Sequence, residues 1–166
     1  MLKSSLVVLL AVATPVLADD LIYSDAATVS CLDGLIEDQD PTFCIGASAE
    51  ACMEDTQGGW STAAMSGCLN RELKYWDARL NVAYGDVRDM RKKTDAELDE
   101  LGSAARRPGK ALLAMQRAWI AYRDATCDYE RSHWGGGTGG GPATMSCLMN
   151  MTAEQALYLE ADGLQE

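Results

Sequence analysis

Six cysteines and a single histidine, His133, are the side chains of this chain best suited to chemistry. A thiolate can act as a nucleophile or exchange with a disulfide. Here the cysteine count is even and no C-x-x-C occurs. Pairing into disulfides is therefore expected over redox or metal chemistry. His133 stands beside Trp134 and near Glu130. Metal binding or acid–base catalysis needs further ligands or a paired base, and the sequence offers none nearby. The run Gly135-Gly136-Gly137-Thr138-Gly139-Gly140-Gly141-Pro142 lacks the Lys-Ser/Thr continuation of a phosphate-binding loop. No catalytic constellation and no cofactor are expected.

A second set of polar residues lies inside apolar helical patterns. Asp77 and Asn81 flank one apolar stripe, and Gln116 and Arg123 flank another. They could form a partner-binding patch. The favoured reading is a buried or half-buried network, with Arg123 paired to Asp77 or Asp124, that fixes hairpin register. If that pair is buried, removing Arg123 costs roughly 3 kcal/mol or more. A turn near residue 100 opposes Asp77 to Arg123; a turn near Thr94 does not.

The elements that must position these residues read as helices. Residues 26–36 form a first short helix, ended by the Asp38-Gln39-Asp40-Pro41 turn, and residues 47–55 a second. A third spans 61–92, with Met65, Leu69, Leu73, Trp76, Leu80, Tyr84 and Val87 at steps of three and four. Thr94-Asp95-Ala96-Glu97 is a capping box that should open a further helix. From Leu98 to Tyr129 a stripe through Leu112, Met115, Trp119, Tyr122 and Thr126 faces a partner helix. Pro108-Gly109 should kink or break it, with Pro108 in the first turn of a restarted helix. The glycine run 135–142 is expected to be wholly loop. Thr152-Ala153-Glu154-Gln155 reads as a second capping box, opening a last helix that stops near Gly163. The expected fold class is all-α: a compact helical domain built on a long antiparallel helical hairpin, plus shorter disulfide-tethered helices.

Sequence-neighbour pairing, which closes the smallest loops, gives Cys31–Cys44, Cys52–Cys68 and Cys127–Cys147. Each bridge is expected to contribute about 3 kcal/mol in the chain-entropy picture. Trp76 and Trp119 lie on stripes and are expected in the core. Trp60 and Trp134, each beside glycines and off the main stripes, are candidates for exposed contact aromatics, since tryptophan is enriched at binding hot spots, or for packing against a neighbouring disulfide.

Residues 1–18 read as a secretory signal: Lys3, an apolar run from Leu6 to Leu17, and a cut after Ala18 ahead of Asp19-Asp20. The apolar run is short and broken by Pro15, so no stable membrane anchor is expected. A mature chain, 19–166, has single-domain length. Loss of Lys3 takes Lys+Arg from 14 to 13 against 25 Asp+Glu, a net charge of −12. That balance disfavours nucleic acid and anionic membrane surfaces, and it suits a cationic partner.

Several motifs occur in one order: Cys68-Leu69-Asn70-Arg71-Glu72, then Trp76 to Tyr84, then the stretch 116–127 (QRAWIAYRDATC), the glycine run, Cys147 and Thr152. Over about residues 52–162 this resembles the LprI-type lysozyme-inhibitor family. The resemblance implies a domain scaffold carried by Asp77, Leu80, Asn81, Tyr84, Gln116, Trp119, Arg123 and Asp124. It also implies that the pairs Cys52–Cys68 and Cys127–Cys147 bracket the family's cysteine positions. It implies a periplasmic or secreted binding protein whose partner is a protein, a cationic lysozyme. The alternative is an envelope interaction module of the same fold without anti-lysozyme activity. The resemblance supplies no inhibitory contact. Trp134, Gly136, Gly137 and Thr138, on a disulfide-tethered loop, are the candidate partner contacts. Residues 21–51, with their extra cysteine pair, lie outside the core pattern.

Overall fold

A computed structural model describes residues 20–163. The expected signal peptide and its cleavage point lie outside the described residues. The described chain is all-α: α1 (Ala26–Asp33), a 3-10 turn (Pro41–Cys44), α2 (Ala47–Asp55), α3 (Thr62–Glu100), α4 (Pro108–Ser132) and α5 (Gly140–Gly163). No described helix is long and apolar enough to cross a membrane.

α3 is the axis of the fold, 39 residues long and so about 58 Å. Ser61 starts it, its side chain accepting from the Ala64 N–H. Its buried face runs through Cys68, Leu69, Glu72, Trp76, Leu80, Ala83 and Val87. Met149, Ala153, Ala156 and Leu159 of α5 complete the core against it. α5 packs along α3 more extensively than α4 does. The hairpin of α3 and α4 is therefore present, but its two arms are held together largely through α5.

All three expected disulfides form: Cys31–Cys44 ties α1 to the 3-10 turn, Cys52–Cys68 ties α2 to α3, and Cys127–Cys147 ties α4 to α5. No free cysteine remains.

Several expected boundaries move. α1 stops at Asp33, ahead of Gly34, where 36 was expected. α3 runs through the Thr94 box to Glu100. Within it, Thr94 Oγ1 donates back to the Met90 carbonyl. Asp95 instead caps the next helix, accepting from the N–H groups of Gly109 at 3.0 Å and Lys110 at 3.3 Å. A carboxylate at those free N–H groups is favourable, and Pro108 at the helix start needs no acceptor. The break thus falls at residues 101–107. Arg107 closes it by pairing with Asp99 at 2.7 Å and donating to the carbonyls of Ser103 and Ala105. The second box, Thr152 to Gln155, also lies inside a helix. α5 begins at Gly140, so Gly140, Gly141 and Pro142 are helical where loop was expected. The Pro142 ring is tolerated there because first-turn N–H groups have no intrahelical acceptor.

The buried face of α4 is also displaced. Leu112, Gln116 and Cys127 are buried, Trp119 and Arg123 half-buried, and Tyr122 and Tyr129 exposed. This face is rotated by roughly 70° from the expected stripe, at 3.6 residues per turn. Tyrosines can stand in solvent because each ring carries a polar tip. Gln116 turns inward because its carbonyl oxygen accepts from Gln155 Nε2 at 3.1 Å.

Candidate functional site

Of the polar residues singled out on α3 and α4, Asp77 and Arg123 reach one small pocket, and Asn81 and Gln116 do not line it. Leu73, Lys74, Asp77, Arg123 and Leu148 line a cavity of about 260 Å³ where α3, α4 and α5 meet. The turn at 101–107 thus brings Asp77 and Arg123 to the same pocket. Each is nonetheless satisfied on its own helix. Asp77 accepts from Asn81 Nδ2 at 3.1 Å. Arg123 donates from Nε and Nη2 to one Asp124 oxygen, at 2.9 and 2.8 Å. Its guanidinium lies 5.0 Å from the Trp119 ring centroid, a cation–π contact. Nη1 reaches Thr152 Oγ1 on α5 at 3.5 Å. The Arg123–Asp124 pair is half open to water, with the Asp124 side chain 56% exposed. It is not a buried ion pair. Leu80 is buried, Tyr84 half-buried and Asn81 exposed.

A second polar centre, which the sequence reading passed over, is fully buried. Glu72 on α3 is 0% exposed. Its Oε1 accepts from Thr28 Oγ1 at 2.9 Å, Gly46 N at 2.8 Å and Trp76 Nε1 at 3.0 Å. Its Oε2 accepts from Ala49 N at 2.7 Å. Gly46 is the N-cap of α2 and Ala49 lies in its first turn, so Glu72 caps that helix from another element. Gly46 sits at φ 98°, a conformation that glycine adopts without strain, and has no side chain of its own to serve as cap. Thr28 and Ser48 exchange reciprocal backbone-to-hydroxyl bonds at 2.9 and 3.0 Å. This node docks α1 and α2 onto α3. One signal was readable: Glu72 stands one helical turn from both Cys68 and Trp76, in a row that is otherwise apolar.

Arg79 and Glu160 form a two-pronged bond between α3 and α5, at 2.9 and 2.7 Å. Arg79 also donates to the Tyr75 hydroxyl at 2.9 Å. Its guanidinium lies over the Tyr75 and Trp76 rings. Burial works against the Arg79 charge, but the bonds to Glu160 and Tyr75 outweigh it and raise its pKa.

The glycine tip is tethered at both ends by Cys127–Cys147. Trp134 at its start is 52% exposed, and Gly136, Gly137 and Thr138 are exposed. The Trp134 ring folds back over Gly139, where a Cβ would fall 2.2 Å from it. No larger residue fits at 139 while the ring stays. His133 lies 3.6 Å from Glu130 and edge-on to Tyr129, all three exposed. Trp60 is 60% exposed, and Trp76 is completely buried. Among the described residues no group of three or more His, Cys, Asp or Glu is placed to hold a metal ion.

Comparison with known proteins adds relatives without assigned roles. An uncharacterized 17.7 kDa protein in the puhA 5' region of Rhodobacter capsulatus is 28% identical over 138 residues, covering 81% of this chain and 83% of its own length. An uncharacterized protein of Rhizobium meliloti (strain 1021) is 29% identical over 114 residues, covering 69% of this chain and 82% of its own length. No solved structure matches significantly. The family model described as lysozyme inhibitor LprI matches residues 52–159, from the cysteine that joins α2 to α3 through to the last core leucine of α5. The chain belongs to the lysozyme inhibitor LprI family.

Proposed function

We propose that this protein is exported to the periplasm, binds a cationic lysozyme there and blocks it non-covalently. The family match over residues 52–159 carries this reading. Charge supports it. A mature chain from Asp19 has 13 Lys+Arg against 25 Asp+Glu, and opposite charge accelerates encounter with a basic enzyme. The proposed contact is the tip at Trp134, Gly136, Gly137 and Thr138. It is exposed, carries a large aromatic anchor, and springs from a disulfide-fixed base. Asp77, Asn81, Gln116, Trp119, Arg123 and Asp124 are read as scaffold, since their polar groups and rings are mostly turned onto neighbours within the fold.

The test is lysozyme turnover of cell-wall substrate with and without the purified, oxidised mature protein. It is paired with binding kinetics at several salt concentrations. Inhibition is expected, with an on-rate that falls as salt rises over the range where the screening length shrinks below about 10 Å. Trp134→Ala is expected to speed dissociation. An off-rate equal to wild type removes the tip as the contact. No binding to any lysozyme at high micromolar concentration leaves an envelope interaction module of the same fold as the reading.

A further inference from the structure

Away from the tip, α3 and the last turns of α5 enclose an open groove of about 790 Å³. Its floor is apolar: Val82, Ala83, Val87 and Met90 from α3, and Leu159 from α5. Val82 is 65% exposed, a large apolar side chain with no described helix over it. Three carboxylates stand around this floor: Asp25, Asp86 and Glu160. Glu160 is engaged by Arg79, the one cation among the described lining residues. No described basic side chain is bonded to Asp25 or Asp86. Ala83, Val87 and Leu159 belong to the core, so the apolar surface the groove presents is exposed Val82 with half-buried Met90, beside negative charge that no described cation neutralises.

We propose that this groove is a docking site for a cationic amphipathic helical peptide. Charge selects the cation. Lysines or arginines flanking an apolar stripe would meet Asp25 and Asp86 while the stripe covers Val82. The groove walls select a helix. They are helix faces, whose own backbone groups are already bonded, so an extended peptide would find no ladder partners there. A helix brings its backbone bonds with it and lays its apolar face in the groove. The lining of α3 runs from Tyr75 to Met90, so a helix of about fifteen residues, about 22 Å long, matches it. Ala78 and Ala83 leave room for close approach. This surface is independent of lysozyme binding by the tip.

The probe is a fluorescent Lys/Leu peptide of about fifteen residues with its leucines at helical spacing, titrated into the oxidised mature protein and read by anisotropy. Controls are a Glu/Leu peptide of the same pattern and a Lys/Leu peptide with the order scrambled. Saturable micromolar binding of the first probe alone is expected. Val82→Arg should weaken it at least tenfold, and Asp86→Lys should weaken it and flatten its salt dependence. Tyr122→Ala on α4 should leave it unchanged. Both Val82 and Asp86 are exposed, so circular dichroism should report an unchanged fold. Equal binding of the Glu/Leu or scrambled peptide, or wild-type affinity in Val82→Arg, overturns the proposal. So does a self-associated dimer in sedimentation that Val82→Arg dissolves, which would give the groove to a second copy. Exclusion of the probe by a chain retaining residues 1–18 would give it to that segment instead.

Discussion

Glu72 and Trp76, one turn apart on α3, hydrogen-bond to each other at 3.0 Å while both are completely buried. The indole N–H and the carboxylate satisfy one another at the point where α1, α2 and α3 meet. The same carboxylate holds Thr28 of α1 and the first turn of α2. It therefore joins residues outside the family match to the matched body.

Glu72→Ala strands four donors, three of them buried and the Gly46 N–H half-buried. Each unsatisfied group costs about 1–3 kcal/mol, and partial relaxation brings the expected loss to roughly 3–5 kcal/mol. Glu72→Gln keeps one acceptor but turns an amide N–H₂ toward donors, and an intermediate loss is expected. Urea unfolding under oxidising conditions measures both. A midpoint close to wild type in Glu72→Ala would show that the node does not hold α1 and α2 in place.

Arg123→Ala should be mild. Its partner Asp124 is exposed, so no carboxylate is left buried and uncompensated. Loss of a partly exposed ion pair and of the Trp119 contact sums to about 1–2 kcal/mol. A drop of 4 kcal/mol or more in thermal or urea unfolding would mean that Arg123 carries a buried network after all.

Gly139 and Trp134 should be energetically coupled. A methyl at 139 meets the Trp134 ring, so Gly139→Ala is expected to cost about 1–3 kcal/mol by overpacking. In a Trp134→Ala background the same change should cost far less, because the space is vacated. A double-mutant cycle on thermal stability reads the coupling. Additive effects would separate the ring from the glycine.

Tyr23 sets an alkaline limit on stability. Burial pushes its hydroxyl pKa up, and nearby Asp25 adds to this. A raised pKa in the folded state means that the unfolded chain ionises first. The contribution is whole below the ordinary tyrosine value of about 10 and fades as pH rises above it. Stability measured from pH 8 to 11 should fall at the upper end, and Tyr23→Phe should flatten that fall. A Tyr23→Phe profile parallel to wild type would place the alkaline loss elsewhere.

Much of this protein was legible before folding. An even cysteine count without C-x-x-C pointed to disulfides, and the pairing favoured from neighbour order and the family's cysteine positions is the one that forms, neighbouring cysteines closing the shortest loops. Periodicity gave the helices and the glycine-led tip, and the order of motifs gave the family. Three things waited for tertiary structure. Capping boxes at Thr94 and Thr152 are local signals, and both were overridden because packing against neighbouring helices rewards continuing α3 and α5. The buried face of α4 depended on what lay opposite. Gln116 could turn inward only with Gln155 to donate to it, while Tyr122 and Tyr129 had no cavity to fill. Glu72 carried one local signal, its place in an apolar row, but its partners could not be read, because its donors come from residues 28, 46 and 49 as well as its own helix. Hydrogen-bond partners distant in sequence leave no periodic trace in the chain, so only the folded arrangement decided that this charge is the buried centre of the structure.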